Sequence, residues 1–205
     1  MTVIIDYGVG NLFSLKSSLS YIGAEVCVSG DADIIKNADR IILPGVGAFG
    51  DAAEKLYAGG LGELIKAEAK SGKPLLGICL GMQLLFDRSY EYGTTEGLGL
   101  ISGEVKPISE IIPLGYKVPH IGWNSLDFSE RGKRSPIFKY VGEGDYVYFV
   151  HSFAAADCGD SLLATADYGA PLTAAVADGN VFGCQFHPEK SGCVGLNILK
   201  AFCEL

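Results

Sequence analysis

Apolar residues enter this chain as short unbroken runs, each followed by a stretch with helical spacing. Residues 3–6 form the first run, and the turn Tyr7-Gly8-Val9-Gly10 separates it from Leu12, Leu15, Leu19 and Ile22, which fall on one helical face. Asn11 is placed to cap that helix, which ends near Tyr21 before Gly23. Residues 25–28 and 40–43 are two further strand-like runs, the second leading into Pro44-Gly45-Val46-Gly47. Helical patterns over 51–57 and 61–70 follow, the latter stopped by Gly72. A fourth run, 74–78, leads through Gly77-Ile78-Cys79-Leu80-Gly81 into a helical pattern reaching Phe86. Such alternation predicts a mostly parallel sheet with helices on both faces.

The second half reads differently. Residues 98–128 and 145–186 hold several short strand-like runs with Gly and Pro between them. Runs 173–177 and 181–185 are joined by Asp178-Gly179-Asn180, a hairpin signal. A final helix is predicted over 195–202. There is no internal repeat, low-complexity tract or linker. The expectation is one α/β domain over residues 1–205, its parallel half supplemented by antiparallel strands. In open sheets of this kind, sites form at the carboxyl ends of strands. Cys79 and the 44–47 loop both follow strands and should meet there.

Composition narrows the function. With 16 Lys and Arg against 24 Asp and Glu, the net charge is −8, and no basic stripe interrupts it. This argues against nucleic acid or an acidic membrane surface as partner. None of the six Cys forms a C-x-x-C pair, which leaves zinc-ribbon and thioredoxin-type motifs without support. No apolar run approaches the ~18 residues of a membrane span, and the N-terminus lacks a signal peptide's pattern. A cytoplasmic protein with reduced thiols is expected.

Cys79 occupies the layout of a nucleophile elbow, with glycines on both sides of a strand-to-helix turn. The following helix end would favour thiolate, although Cys is also a common core residue. A thiol nucleophile needs a base, and the base needs an orienting group. Of the three His, His187 follows a strand-like run in His187-Pro188-Glu189. An extended H-P-E places both side chains on one face, so Glu189 can hold the imidazole as in a Ser-His-Asp triad. A surface ion pair is the alternative. Acyl transfer also needs oxyanion donors, offered by the Leu80 amide and by the loop at Gly45, Val46 and Gly47. Those glycines could equally form a plain turn, and they match no dinucleotide or P-loop pattern. His120 and His151 have no carboxylate at short spacing and read as structural or interface groups.

Taken together, Pro44-Gly45-Val46-Gly47, Gly77-Ile78-Cys79-Leu80-Gly81-Met82-Gln83 and His187-Pro188-Glu189 resemble the triad-type (class I) glutamine amidotransferases. Asp6-Tyr7-Gly8-Val9-Gly10-Asn11-Leu12, Pro119-His120-Ile121-Gly122-Trp123-Asn124 and Lys190-Ser191 make the chain similar to the family's glutaminase subunits of imidazole glycerol phosphate synthase. The resemblance covers essentially the whole chain. It implies glutamine hydrolysis through Cys79, His187 and Glu189, with Gln83 helping to hold glutamine. Glu91 would meet its ammonium, with Glu96 as a rival, and backbone groups at Ser152 and Phe153 would lie near its carboxylate. It implies no cofactor and no metal. It also implies a separate cyclase subunit with a (β/α)₈ barrel, joined as a heterodimer, that takes the ammonia. Such a barrel needs about 200 residues of its own. Asn11, Trp123, Asn124, Tyr148 and Lys190 would lie at or near that interface, with a core aromatic as the alternative for Trp123. Ser152-Phe153 stands where many relatives carry Thr-Tyr, and residues 110–117 receive no role. The glutaminase of pyridoxal phosphate synthase, a cysteine peptidase or chaperone, and a non-catalytic binding module are the rival readings.

Overall fold

A computed structural model describes residues 1–205. The chain order is β1 (Thr2–Ile5), α1 (Leu12–Tyr21), β2 (Val26–Ser29), α2 (Ala32–Lys36), β3 (Arg40–Leu43), α3 (Phe49–Ala58), α4 (Leu61–Lys70), β4 (Leu75–Ile78) and α5 (Leu80–Gln83). After these come β5 (Arg88–Ser89), β6 (Thr95–Glu96), β7 (Glu104–Pro107), β8 (His120–Ser125), β9 (Asp127–Phe128), β10 (Tyr146–His151), β11 (Phe153–Ala156), β12 (Leu162–Asp167), β13 (Pro171–Asp178), β14 (Val181–Cys184) and α6 (Gly192–Cys203). No helix is long and apolar enough to cross a membrane.

The eight-stranded main sheet runs β2-β1-β3-β4-β14-β13-β12-β9. The first five strands are parallel neighbours, and the last three join antiparallel. The unbroken apolar runs have a physical reason here. Along β1, Val3 and Ile5 face one core with α3 and α4, whereas Ile4 faces a second core with α1 and α6. A strand covered on both faces has no solvent side on which to place polar residues. Leu15 and Leu19 of α1 and Ile198, Leu199 and Phe202 of α6 fill the second core. Phe49, Leu56 and Ile65 fill the first.

The mostly parallel α/β architecture, the strands β1 to β4 and the β13–β14 hairpin agree with the sequence reading, and three details differ. The short α2 was not anticipated, although Asp31 caps it by accepting the amides of Asp33 and Ile34 at 2.9 and 3.1 Å. The helical pattern reaching Phe86 yields only the four-residue α5. Its continuation is stopped because the carbonyls of Leu84, Leu85 and Phe86 accept amides from residues 98–101, which lie across it. The last helix begins three residues earlier than its pattern, at Gly192.

Two smaller sheets stand apart from the main one: the ribbon β10-β8 and the sheet β11-β7-β5-β6. Residue Ser152 separates β10 from β11, so the chain changes sheet at that single residue.

Candidate active site

Cys79 leaves β4 with φ +54° and ψ −112°, a backbone conformation that costs a residue with a side chain on the order of 1–3 kcal/mol. The strain is held by packing. The Cys79 amide donates to the Cys184 carbonyl at 2.7 Å. A methyl added at Gly81 would sit 1.9 Å from the Leu43 carbonyl oxygen, at Gly77 2.6 Å from the Gly81 carbonyl oxygen, and at Gly45 2.7 Å from the Gly81 amide. The three glycines are therefore required by close backbone contact. Gly45 belongs to this packing and does not face the cavity, unlike Val46 and Gly47, which do. Of the expected oxyanion residues, Val46, Gly47 and Leu80 line the cavity. The Pro44 carbonyl accepts the buried Tyr7 hydroxyl at 2.8 Å, which ties the first turn to this loop. Burial, followed by the nearby Cys79, pushes that phenol's pKa up.

The expected help from a helix N-terminus shrinks, because α5 is barely one turn and carries little summed dipole. The Cys79 thiol donates to the Val150 carbonyl at 3.9 Å, and His187 lines the same cavity as the sulfur. His187 follows β14, and its amide donates to the Tyr148 carbonyl at 2.9 Å. Its Nδ1–H donates to Glu189 Oε1 at 2.8 Å, with the two side chains 3% and 4% exposed. This is not a surface ion pair. Nor is the H-P-E segment extended: residues Pro188–Lys190 make a 3₁₀ turn, closed by the Lys190 amide on the His187 carbonyl at 3.0 Å. The turn rather than strand alternation brings Glu189 back beneath the ring. Burial works against the imidazolium, but the hydrogen bonds and charges of Cys79 and Glu189 outweigh it and raise the His187 pKa to about 9. A thiol facing a proton-hungry imidazole is the arrangement that activates sulfur.

These groups open on a cavity of about 370 Å³ that is also lined by Val46, Gly47, Leu80, Gln83, Glu91, Ser152, Phe153 and Lys190. Every expected glutamine contact thus lies on one wall or another. Glu91, not the exposed Glu96, reaches the cavity, and its Oε2 accepts the Phe49 amide at the start of α3 at 2.6 Å. Gln83 donates through Nε2 to the Phe153 carbonyl and to Gln185 Oε1, each at 3.0 Å. Gln185 in turn donates to Cys79 Sγ at 3.8 Å. Gln185 escaped the sequence reading, although it stands two residues before His187 and shares its strand exit. His151 also lines the cavity, which a search for neighbouring carboxylates could not reveal.

The expected interface residues divide. Trp123 is 54% exposed and meets the Tyr148 ring edge-on at 6.1 Å, so it is no core aromatic. Lys190 is exposed at the cavity mouth. Asn11 caps α1 by accepting the Ser14 amide at 3.4 Å, and the Asn124 side-chain amide donates to the Asp167 carbonyl at 2.7 Å. Residues 110–117 lie beside Tyr168, whose ring meets Tyr116 edge-on at 5.1 Å.

Comparison with known proteins points in one direction. The model of the family described as glutamine amidotransferase class-I matches residues 3–204. A protein of Caldanaerobacter subterraneus subsp. tengcongensis, named imidazole glycerol phosphate synthase subunit HisH, is 50% identical over 206 residues, covering 100% of this chain and 98% of its own. The Wolinella succinogenes protein of the same name is 48% identical over 207 residues, covering all of both chains. Among solved structures, a glutamine amidotransferase superposes with a TM-score of 0.75 at 18% identity over 98% of both chains. PurLQS from Thermotoga maritima does so with a TM-score of 0.76 at 22% identity, over 99% of this chain and 97% of its own.

Proposed function

Because the chain belongs to the class-I glutamine amidotransferases, we propose that its cavity hydrolyses glutamine for an imidazole glycerol phosphate synthase in histidine biosynthesis. The observation that carries the chemistry is a strained cysteine facing a buried His187–Glu189 pair inside a cavity large enough for an amino acid. The assignment to this synthase draws on relatives that are about half identical over their whole length.

In this reading, His187 takes the Cys79 proton, and the sulfur attacks the side-chain amide carbon of glutamine. Negative charge collects on the carbonyl oxygen, toward the Leu80 amide and the Val46–Gly47 backbone. The tetrahedral species collapses to a glutamyl thioester as His187 returns its proton to the departing nitrogen, which leaves as ammonia. Water, deprotonated by His187, then releases glutamate and restores the thiol. Glu189 keeps the His187 proton on Nδ1 and stabilises the imidazolium. Glu91 is assigned to the substrate ammonium, and Gln83 with the Ser152–Phe153 backbone to the rest of the amino acid.

The ammonia passes to a cyclase subunit, and the products imidazole glycerol phosphate and aminoimidazole carboxamide ribotide belong to that partner. A (β/α)₈ barrel bound as a heterodimer is the form of partner we infer. Support for a docking face comes from the β8–β10 ribbon, where Ile121 and Trp123 are exposed beside Val150 of the cavity wall. Aromatic residues placed in this way are common interface anchors. A reducing cytoplasm suits a nucleophilic thiol and the exposed Cys193.

The test is ammonia release from glutamine by the chain alone and with the cyclase bound to its ligand. Slow release alone and strong stimulation in the complex are expected. Folded protein that releases no ammonia in either state would overturn the reading.

A further inference from the structure

Ser152 and Phe153 line the cavity at the one point where the chain leaves the β8–β10 ribbon for the β7–β11 sheet. Opposite Phe153 in the β11–β7 ladder stands Pro107, and because the Ile108 amide donates to the Ser152 carbonyl at 3.0 Å, the next carbonyl, that of Phe153, turns away from β7. The Phe153 carbonyl is instead held by side chains, Gln83 Nε2 at 3.0 Å and His151 Nδ1 at 2.9 Å.

That second contact fixes a proton. A carbonyl only accepts, so His151 must carry its hydrogen on Nδ1. Its Nε2 is then a bare acceptor, 3.0 Å from His120 Nδ1, which must therefore donate. His120 Nε2 is left as the acceptor facing Asn124 Nδ2 at 3.5 Å. Every proton points the same way, from β8 through two buried rings to the carbonyl beside the cavity. His120 and His151 are 3% and 5% exposed, and burial lowers the pKa of both, that of His151 to about 4. The His120 ring is clamped between Phe149 and Tyr168, at 4.9 and 4.2 Å between centroids, so it cannot easily turn to reverse the order.

We propose that His120 is a positioning residue for the glutamine cavity: through His151 it holds the Phe153 carbonyl and with it the Ser152–Phe153 wall, without touching the substrate itself. The inference rests on the reading of this cavity as a glutamine site. It assigns His120 a role in substrate affinity rather than in the attack by sulfur.

Glutamine affinity is measured by calorimetry on the full-length chain carrying Cys79→Ala, assembled with the cyclase subunit. Adding His120→Phe keeps the ring stack but removes the donor, and is expected to raise the Kd about tenfold. Adding His120→Asn places an amide nitrogen where Nδ1 stood, and is expected to stay within about threefold of the parent. In the active enzyme, His120→Phe should raise KM for glutamine and leave the rate of Cys79 alkylation by iodoacetamide unchanged. An unchanged Kd in His120→Phe, or equal loss in both variants, would overturn the proposal. Absence of glutamine binding in the Cys79→Ala parent would instead count against the glutaminase reading. Should His120→Phe not fold, imidazole ¹⁵N shifts of the unsubstituted protein decide: both rings should be Nδ1–H tautomers, and Nε2–H in either one refutes the relay.

Discussion

The wall that carries Cys79 is backbone packed on backbone, whereas the wall opposite is tied by side-chain hydrogen bonds. On the first, Gly45, Gly77 and Gly81 let β3, β4 and α5 approach so closely that no methyl fits between them. On the second, the Phe153 carbonyl is held by the His151 ring and by Gln83, which reaches over from α5 and is linked through Gln185 to the sulfur. The consequences for tolerance differ. Close packing has no intermediate state, because an inserted atom must displace main chain. A hydrogen-bond network loses one partner at a time, each worth on the order of 1 kcal/mol.

The contrast can be broken most sharply at the nucleophile. Cys79→Ala should reduce ammonia release by at least about 10⁴-fold while leaving the melting temperature and partner binding nearly unchanged. Release at the native rate would remove Cys79 from its role. Next in size is Gly81→Ala, which should destabilise the fold by about 3 kcal/mol in urea unfolding, since its methyl would meet the Leu43 oxygen at 1.9 Å. A loss below roughly 1 kcal/mol would mean that the elbow wall yields as readily as the other. In the hydrogen-bond network, Gln185→Ala should cost about tenfold in kcat/KM, through loss of one link to Gln83 and one to the sulfur. A collapse as deep as that of Cys79→Ala would show the network to be as brittle as the packing.

The smallest effect concerns pH. His187 is raised from its ordinary value near 6.5 to about 9, so the folded state holds this proton more tightly than the unfolded chain does. Its contribution to stability is whole below about pH 6.5 and disappears as pH rises through 9. Glu189→Gln removes one of the two groups that hold the proton. The stability difference between the two proteins, followed by urea unfolding, should narrow across that window. A difference that widened with pH would reverse the sign assigned to the pair.

Much of the elbow wall was legible along the chain because its causes are local. A glycine on each side of a cysteine, after an apolar run and before helical spacing, specifies a tight turn from neighbouring residues alone. His187 and Glu189 are equally close in sequence, and their pairing survived even though a 3₁₀ turn replaced the expected extended segment. The length of α5 was not legible, because what ends it is a loop from residues 98–101. The sequence likewise left Trp123 open between core and surface, since the face of β8 that reaches solvent depends on what covers the other.

What the sequence by itself determined is the alternating scaffold, the elbow and the closeness of His187 to Glu189, all carried by spacing within a few residues. Tertiary structure alone decided that Gly45 packs rather than faces the cavity, that Gln185 reaches the sulfur, and that His120 and His151 meet. Those two histidines lie directly opposite each other in the β8–β10 ladder. Which residues stand opposite one another is set when separate strands choose a register, and no local pattern in either strand records that choice.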